Sequence, residues 1–177
     1  MKLQTKEIAI MTAYAALYAV LVNVPGLSFL AFGILNLRVA DIMLGAIPVF
    51  GIAGVLGHTI GVFIGNLSSP FGVIDLLNTI PSFIMAFVVY YVYKHTKNDY
   101  TILATTTAYS AVLGVTVGWM LSAPYNIPLT LSILYVFAGN LVMSTAGGWI
   151  LFKALKQIGI QRLLGTETKT NQGANKP

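Results

Sequence analysis

Residues 39–66 read VADIMLGAIPVFGIAGVLGHTIGVFIGN, and the way this run divides decides the fold. It is apolar enough for the interior of a bilayer but too long for one straight span of about 20 residues. Pro48 removes a backbone donor and clashes with the preceding turn, while Gly51 and Gly54 weaken any helix through them. The run therefore splits near 48–51 into two short helices, the second and third of the chain. Asp41 falls inside the first of these, and Arg38 lies one helical turn before it. A charged side chain at mid-bilayer costs about 2.5–3.5 kcal/mol on insertion scales unless it is paired or hydrated. Arg38, Asp41 and the similarly placed Asp75 are therefore candidate functional residues from the outset.

Composition supports the membrane reading. Of the 177 residues, 56% are hydrophobic and 8% charged, with a mean hydropathy of +0.80; a soluble domain carries about 25% charged residues. There is room for one membrane domain and none for a soluble catalytic one. With no cysteine, disulfides, thiolate metal sites and cysteine nucleophiles are excluded. The net charge of +5 does not indicate nucleic acid, because Lys2, Lys6, Lys94, Lys97, Lys153, Lys156, Arg162, Lys169 and Lys176 all lie outside the apolar runs. Bases so placed mark the cytoplasmic side of a membrane. The charged start before residues 8–22 has the outline of a signal peptide, but further apolar runs follow directly, and the segment reads as a retained first helix.

The remaining breaks give six spans. The first covers about 8–24, followed by a turn-rich loop over 25–37. The fourth covers about 74–93, after the turn Ser68-Ser69-Pro70-Phe71-Gly72. The fifth and sixth cover about 101–122 and 129–155, separated by Ala123-Pro124-Tyr125-Asn126-Ile127-Pro128. The expected fold is thus an all-α, multi-pass membrane protein over 1–164, with both termini cytoplasmic and a disordered polar tail over 165–177. Six spans place every lysine-bearing loop on one side, so parity and the helix breakers agree.

Parity also gathers polar residues at the opposite, outer end. Arg38, Asp41, Asn66, Asp75 and Asn78 converge there from three spans, with Trp119 and Tyr125 at the close of the fifth and Asn140 beneath them. The 25–37 loop is placed to cover this pocket. Two carboxylates could accept paired donors from a substrate, such as an amine or a guanine-like edge. The plainer alternative is an internal Arg38–Asp41 pair at i, i+3, with Asp75 capping a helix. Trp119 and Tyr125 fit a stacking role or an interfacial belt equally. His58, alone in the third span, reads as a hydrogen-bonded structural residue rather than a proton relay.

Small residues recur at helix–helix spacing. Gly57, Gly61 and Gly65 allow close backbone approach in lipid and read as internal packing. Ala9, Ala13 and Ala16, with Thr12 and Ala19, form a similar face on the first span; by themselves they favour another helix of the same chain. There is no G-x-x-x-x-G-K-[ST], H-E-x-x-H or G-x-S-x-G motif, and the two histidines are far apart, so nothing specific supports an enzyme, a metal site or a bound cofactor.

Leu37-Arg38-Val39-Ala40-Asp41, the glycine-rich third span, and Gly65-Asn66-Leu67-Ser68-Ser69-Pro70-Phe71-Gly72-Val73-Ile74-Asp75 together resemble the QueT-type family of substrate-binding (S) components of energy-coupling factor (ECF) transporters. The resemblance covers most of the membrane region and is sharpest over 37–78. It implies an S-component-like bundle in the cell membrane that takes up queuosine precursors of the 7-deazaguanine type. It also implies partners, namely a transmembrane coupling subunit and two cytoplasmic ATPases. In such transporters an alanine-rich face of the first helix meets the coupling subunit, which shifts Ala9, Ala13 and Ala16 toward partner docking. The alternatives are an S component for another vitamin-like solute, a self-sufficient proton-coupled carrier, and a membrane assembly factor without a soluble ligand.

Overall fold

The computed structural model describes residues 4–160. Lys2, Arg162, Lys169, Lys176 and the expected tail over 165–177 lie outside the described residues. The elements run in order as α1 (Thr5–Asn23), α2 (Leu27–Ala31), a 3-10 helix (Val39–Ala46) continuing into α3 (Ile47–Phe50), α4 (Ile52–Asn66), α5 (Val73–Leu77), α6 (Thr79–Thr96), α7 (Tyr100–Ser122), α8 (Leu129–Asn140), a π-helical segment (Leu141–Gly147) and α9 (Gly148–Ile158). Four stretches are long and apolar enough to cross a membrane: Thr5–Asn23, Val73–Thr96, Tyr100–Ser122 and Leu129–Ile158. Two shorter apolar stretches, Val39–Phe50 and Ile52–Asn66, lie between the first and second of these.

The division of the 39–66 run falls where its breakers predict. Gly51, with φ +62°, separates α3 from α4, a backbone conformation in which a Cβ is disfavoured. The first half departs from expectation, however: Val39–Ala46 is a 3-10 helix rather than an α-helix. Its tighter coil brings backbone against backbone, since a Cβ on Gly45 would lie 1.8 Å from the Gly148 carbonyl oxygen. The π-helical segment and α9 are its neighbours. Two irregular helices thus pack on each other near the middle of the chain's interior, and such departures from α geometry mark functional or strained positions more often than chance.

α1 and α4 make the most extensive contact. Gly57, Gly61 and Gly65 leave notches one turn apart, and Tyr14, Tyr18 and Val22 fill them in the same order. The glycines therefore serve the internal packing that their spacing suggests. α7 and α8 mesh similarly, with Gly114 against Phe137 and Gly118 against Ile133. The Ser132 hydroxyl also donates to the Gly118 carbonyl at 2.7 Å.

The distribution of polarity is that of a protein dissolved in lipid. Arg38, Asp41, His58, Asn66, Asp75, Ser110, Asn140 and Ser144 are buried, whereas Phe29, Ile84, Leu134 and Ile150 are exposed. Inside hydrocarbon no water satisfies a polar group, so polar side chains turn inward and apolar ones outward. At the opposite end from Asp41, Lys153 and Lys156 bond Asp99 at 2.8 and 2.6 Å, tying the end of α9 to the loop between α6 and α7. Partial burial raises the Asp99 carboxyl, but the hydrogen bonds from Lys153 and Lys156 outweigh it and leave the group below the ordinary aspartate value.

The notches give a graded expectation. A Cβ on Gly61 would sit 2.6 Å from the Tyr18 Cβ, against 3.2 Å for Gly65 and Val22. Overpacking costs about 1–3 kcal/mol, which exceeds the helix-propensity gain of about 1 kcal/mol for glycine to alanine. Gly61→Ala should lower the thermal unfolding temperature in detergent clearly more than Gly65→Ala. The reverse order would show that α1 and α4 are not meshed in this register.

Candidate functional site

Four elements deliver the buried polar residues. The 3-10 helix carries Asp41, with Arg38 at its entrance; α4 ends on Asn66; α5 carries Asp75; and Asn78 separates α5 from α6. All five side chains are nearly or fully buried. Arg38 Nη2 lies 3.5 Å from Asp75 Oδ2. The Asn78 amide donates to Asp75 Oδ1 at 3.2 Å and lies 3.4 Å from Met120 Sδ. The Asn66 amide donates to the Asp75 carbonyl at 2.9 Å. The cluster is therefore knit from residues far apart in the sequence.

The plainer sequence alternative is corrected on two points. Arg38 pairs with Asp75 across the bundle and not with Asp41 on its own helix. Nor does Asp75 cap a helix: Gly72 occupies the N-cap of α5, and no side chain bonds there. Asp41 instead accepts a hydrogen bond from the Tyr18 hydroxyl, at 2.5 Å to Oδ1. Among the described residues no cationic nitrogen lies within ion-pair distance of Asp41.

Several atoms of this cluster make no hydrogen bond: Arg38 Nε, Asp41 Oδ2 and Asn66 Oδ1, and also Arg38 Nη2 and Asp75 Oδ2, which meet only as the 3.5 Å ion pair. Asn140 Oδ1, further down α8, is in the same condition, while its amide donates to the Val136 carbonyl at 3.0 Å. A buried polar atom without a partner costs about 1–3 kcal/mol, and most proteins avoid all but a few. Gathering donors and acceptors of both signs in one place is the chemistry of a site for a small polar solute.

The loop over 25–37 lies against this cluster. Phe32 is buried, and the Arg38 guanidinium carbon is 5.5 Å from its ring centroid, a cation–π contact. The Tyr125 hydroxyl donates to the Phe32 carbonyl at 2.7 Å, and the Tyr125 ring meets Phe71 edge-on at 6.0 Å. Asn36, with φ +47°, donates to the Ala31 carbonyl at 2.7 Å and closes the loop on itself. The Leu35 carbonyl rests on Gly139, where a Cβ would come within 1.8 Å of it. The loop is thus anchored from the turn after α7, from α8 and by Arg38.

A family model described as QueT transporter matches residues 8–157. The chain belongs to the QueT transporter family. No curated protein and no solved structure matches it. Membership makes this a transporter, and the apolar helices make it a multi-pass membrane protein.

The placement of the sequence-predicted residues is uneven within this family member. Arg38, Asp41, Asn66, Asp75 and Asn78 come together. Tyr125 joins them through the loop, and Asn140 is buried in α8 beneath it. Trp119 meets the cluster only at its edge: it is 65% exposed and lines an outer groove of about 360 Å³ together with Asn78, Met120, Val115 and Pro81. Of the alanines, Ala9, Ala13 and Ala16 are exposed, while Ala15 and Ala19 face inward. Sequence reasoning missed Tyr18, Phe32 and Asn36. Tyr14 and Tyr18 share the four-residue step of Gly57 and Gly61, a complementary pattern that was legible; Phe32 and Asn36 sit in a loop without periodicity.

His58 is held by aromatic neighbours. Its two ring nitrogens lie 3.4 Å from the Tyr14 hydroxyl and 3.5 Å from that of Tyr109, and its ring meets Tyr18 at 5.0 Å and 75°. Tyr14 also donates to the Met43 carbonyl at 2.5 Å. His58 therefore braces α1, α4 and α7 against the 3-10 helix.

Asp75→Asn keeps an oxygen for the Asn78 amide but removes the charge opposite Arg38. Breaking a buried pair from one side costs about 3–5 kcal/mol, whereas removing both charges is far cheaper. Asp75→Asn should thus unfold at a markedly lower temperature than the wild type, and Arg38→Gln/Asp75→Asn should regain most of the difference. Equal stability of the single variant and the wild type would show that Arg38 does not depend on Asp75.

Proposed function

We propose that this chain is the substrate-binding membrane subunit, the S component, of an ECF-type transporter in the cell membrane. In this reading it spans the membrane six times with both termini cytoplasmic, the two short stretches counting as spans. Its solute is small and nucleobase-like, a 7-deazaguanine precursor of queuosine. The supporting observation is the cluster of buried polar atoms without hydrogen-bond partners on Arg38, Asp41, Asn66 and Asp75 beneath an anchored loop.

Charge narrows the solute. One guanidinium stands against two carboxylates, which leaves one negative charge in excess when all three are ionised. The complement is a solute with a protonated amine or a donor-rich edge, because a carboxylate oxygen only accepts. A 7-aminomethyl group satisfies this and a 7-cyano group does not. Asn78, Asn140 and Tyr125 add neutral contacts in the same reading. Binding at the buried cluster then needs no energy input, and the sequence holds no phosphate-binding loop motif. Transport draws on a transmembrane coupling subunit and two cytoplasmic ATPases.

The exposed Ala9, Ala13 and Ala16 supply the docking face of this proposal. Small side chains permit close helix approach where lipid offers no hydrophobic drive. α1 presents this face outward and Tyr14 and Tyr18 inward, so a partner on one side sits one helix diameter from the site on the other. Ala13→Leu and Ala16→Leu should abolish co-purification with the coupling subunit while solute affinity stays within twofold. Unimpaired assembly would remove this face from the interface.

The deciding experiment is calorimetric titration of the purified chain in nanodiscs with 7-aminomethyl- and 7-cyano-7-deazaguanine. Binding of the amine at least tenfold tighter than the nitrile, with no ATPase present, is the expected result. Binding of neither by the folded protein would defeat the assignment. The partnerless Asp41 Oδ2 also suits a proton-coupled carrier; that second reading requires uptake by this chain alone in liposomes, driven by a proton gradient.

A further inference from the structure

We infer that Tyr18 is a positioning residue of this site, holding Asp41 by one carboxylate oxygen so that the other is presented to the solute. The inference rests on the binding role proposed above. It assigns no contact between Tyr18 and solute; Tyr18 acts through Asp41.

The geometry begins with the hydrogen bond. The Tyr18 hydroxyl is 2.5 Å from Asp41 Oδ1, and both side chains are buried. Asp41 Oδ2 accepts no hydrogen bond, and neither does Asp75 Oδ2, which meets Arg38 Nη2 only at ion-pair distance. The two oxygens of one carboxylate are thus unequal: one is spent on the protein and the other is left. A buried carboxylate that takes its hydrogen bond from a neutral hydroxyl, with no cation in ion-pair contact, is a poor structural element, because its desolvation is only partly offset. As half of a binding site it is well placed, since a fixed acceptor does not lose rotamer entropy again when the solute arrives.

Tyr18 itself cannot swing. Its Cβ fills the notch at Gly61, and its ring stands edge-on against His58 at 5.0 Å. His58 is in turn flanked by the hydroxyls of Tyr14 and Tyr109. The orientation of Asp41 is therefore inherited from the packing of α1 on α4. Tyr14 provides an internal comparison one turn earlier: it fills the Gly57 notch in the same way, but its hydroxyl donates to a backbone carbonyl, that of Met43.

The test is a double-mutant cycle on the full chain in nanodiscs, titrated with 7-aminomethyl-7-deazaguanine. Tyr18→Phe preserves the ring in its notch and removes only the hydroxyl. Losing a hydrogen bond to a charged group corresponds to roughly 10- to 100-fold in affinity, so binding should weaken by about tenfold or more. The same substitution in an Asp41→Ala background should have almost no further effect. Tyr14→Phe, which also deletes a buried hydroxyl, should stay within twofold of the wild type. Additive losses in the cycle, or an equal loss from Tyr14→Phe, would overturn the positioning role and leave Tyr18 a packing residue. If the wild type binds neither this compound nor the 7-cyano analogue, the proposed function fails separately. The Tyr18–Asp41 link is then judged by the same cycle in thermal unfolding of the unliganded chain, where non-additivity supports it and additivity rejects it.

Discussion

Close approach of α1 to α4 is the contact from which the rest of the structure follows. Three glycines one turn apart admit Tyr14, Tyr18 and Val22, and no other residue type at those positions would let two aromatic side chains sit between the helix backbones. In a bilayer there is no water to drive two apolar helices together, so shape and hydrogen bonding must do so. The mesh provides both. Once it forms, the Tyr18 hydroxyl meets Asp41, the Tyr14 hydroxyl meets the Met43 carbonyl, and the 3-10 helix is fixed against the first span.

A second constraint acts through the backbone of that 3-10 helix. Its contact with Gly148 is so close that Gly45 leaves no room for a side chain at the point of touch. The neighbouring Leu141–Gly147 segment is itself widened to a π-helix. A narrow helix thus lies against a wide one, with Gly147 meeting the Ile42 side chain beside the Gly45–Gly148 contact. The polar cluster draws Arg38 and Asp41 from the irregular helix and its partners Tyr18, Asn66, Asp75 and Met120 from regular ones, while α6, α7 and α8 present apolar side chains outward.

The division of labour within α1 is informative. One face carries the tyrosines that reach the interior and the other carries Ala9, Ala13 and Ala16. The helix is therefore apolar around its circumference but not uniform in function. Exposed small residues cover little area, and their exposure in this chain is compatible with a second helix lying against them.

The sequence by itself determined the class, the break and the cast of residues. Low charge and long apolar runs require a membrane protein; Pro48 and Gly51 require the 39–66 run to divide; Arg38, Asp41 and Asp75 are too costly in hydrocarbon to be incidental. The four-residue glycine step announced a packed helix pair. These features are local, and period, chemistry and transfer cost can be read one segment at a time. Partnership could not be read this way. Spacing at i, i+3 suggested Arg38 with Asp41, yet Arg38 reaches Asp75 and Asp41 reaches Tyr18, because the folded bundle brings α5 and α1 nearer than the next turn of the same helix. Trp119 shared an end of the bundle with the cluster but turns its ring outward and reaches only the groove beside Asn78, since a position along a helix axis does not fix the direction around it. The choice of a 3-10 helix for Val39–Ala46 likewise depended on a backbone contact with Gly148, a residue about a hundred positions away, and only tertiary packing places those two glycines together.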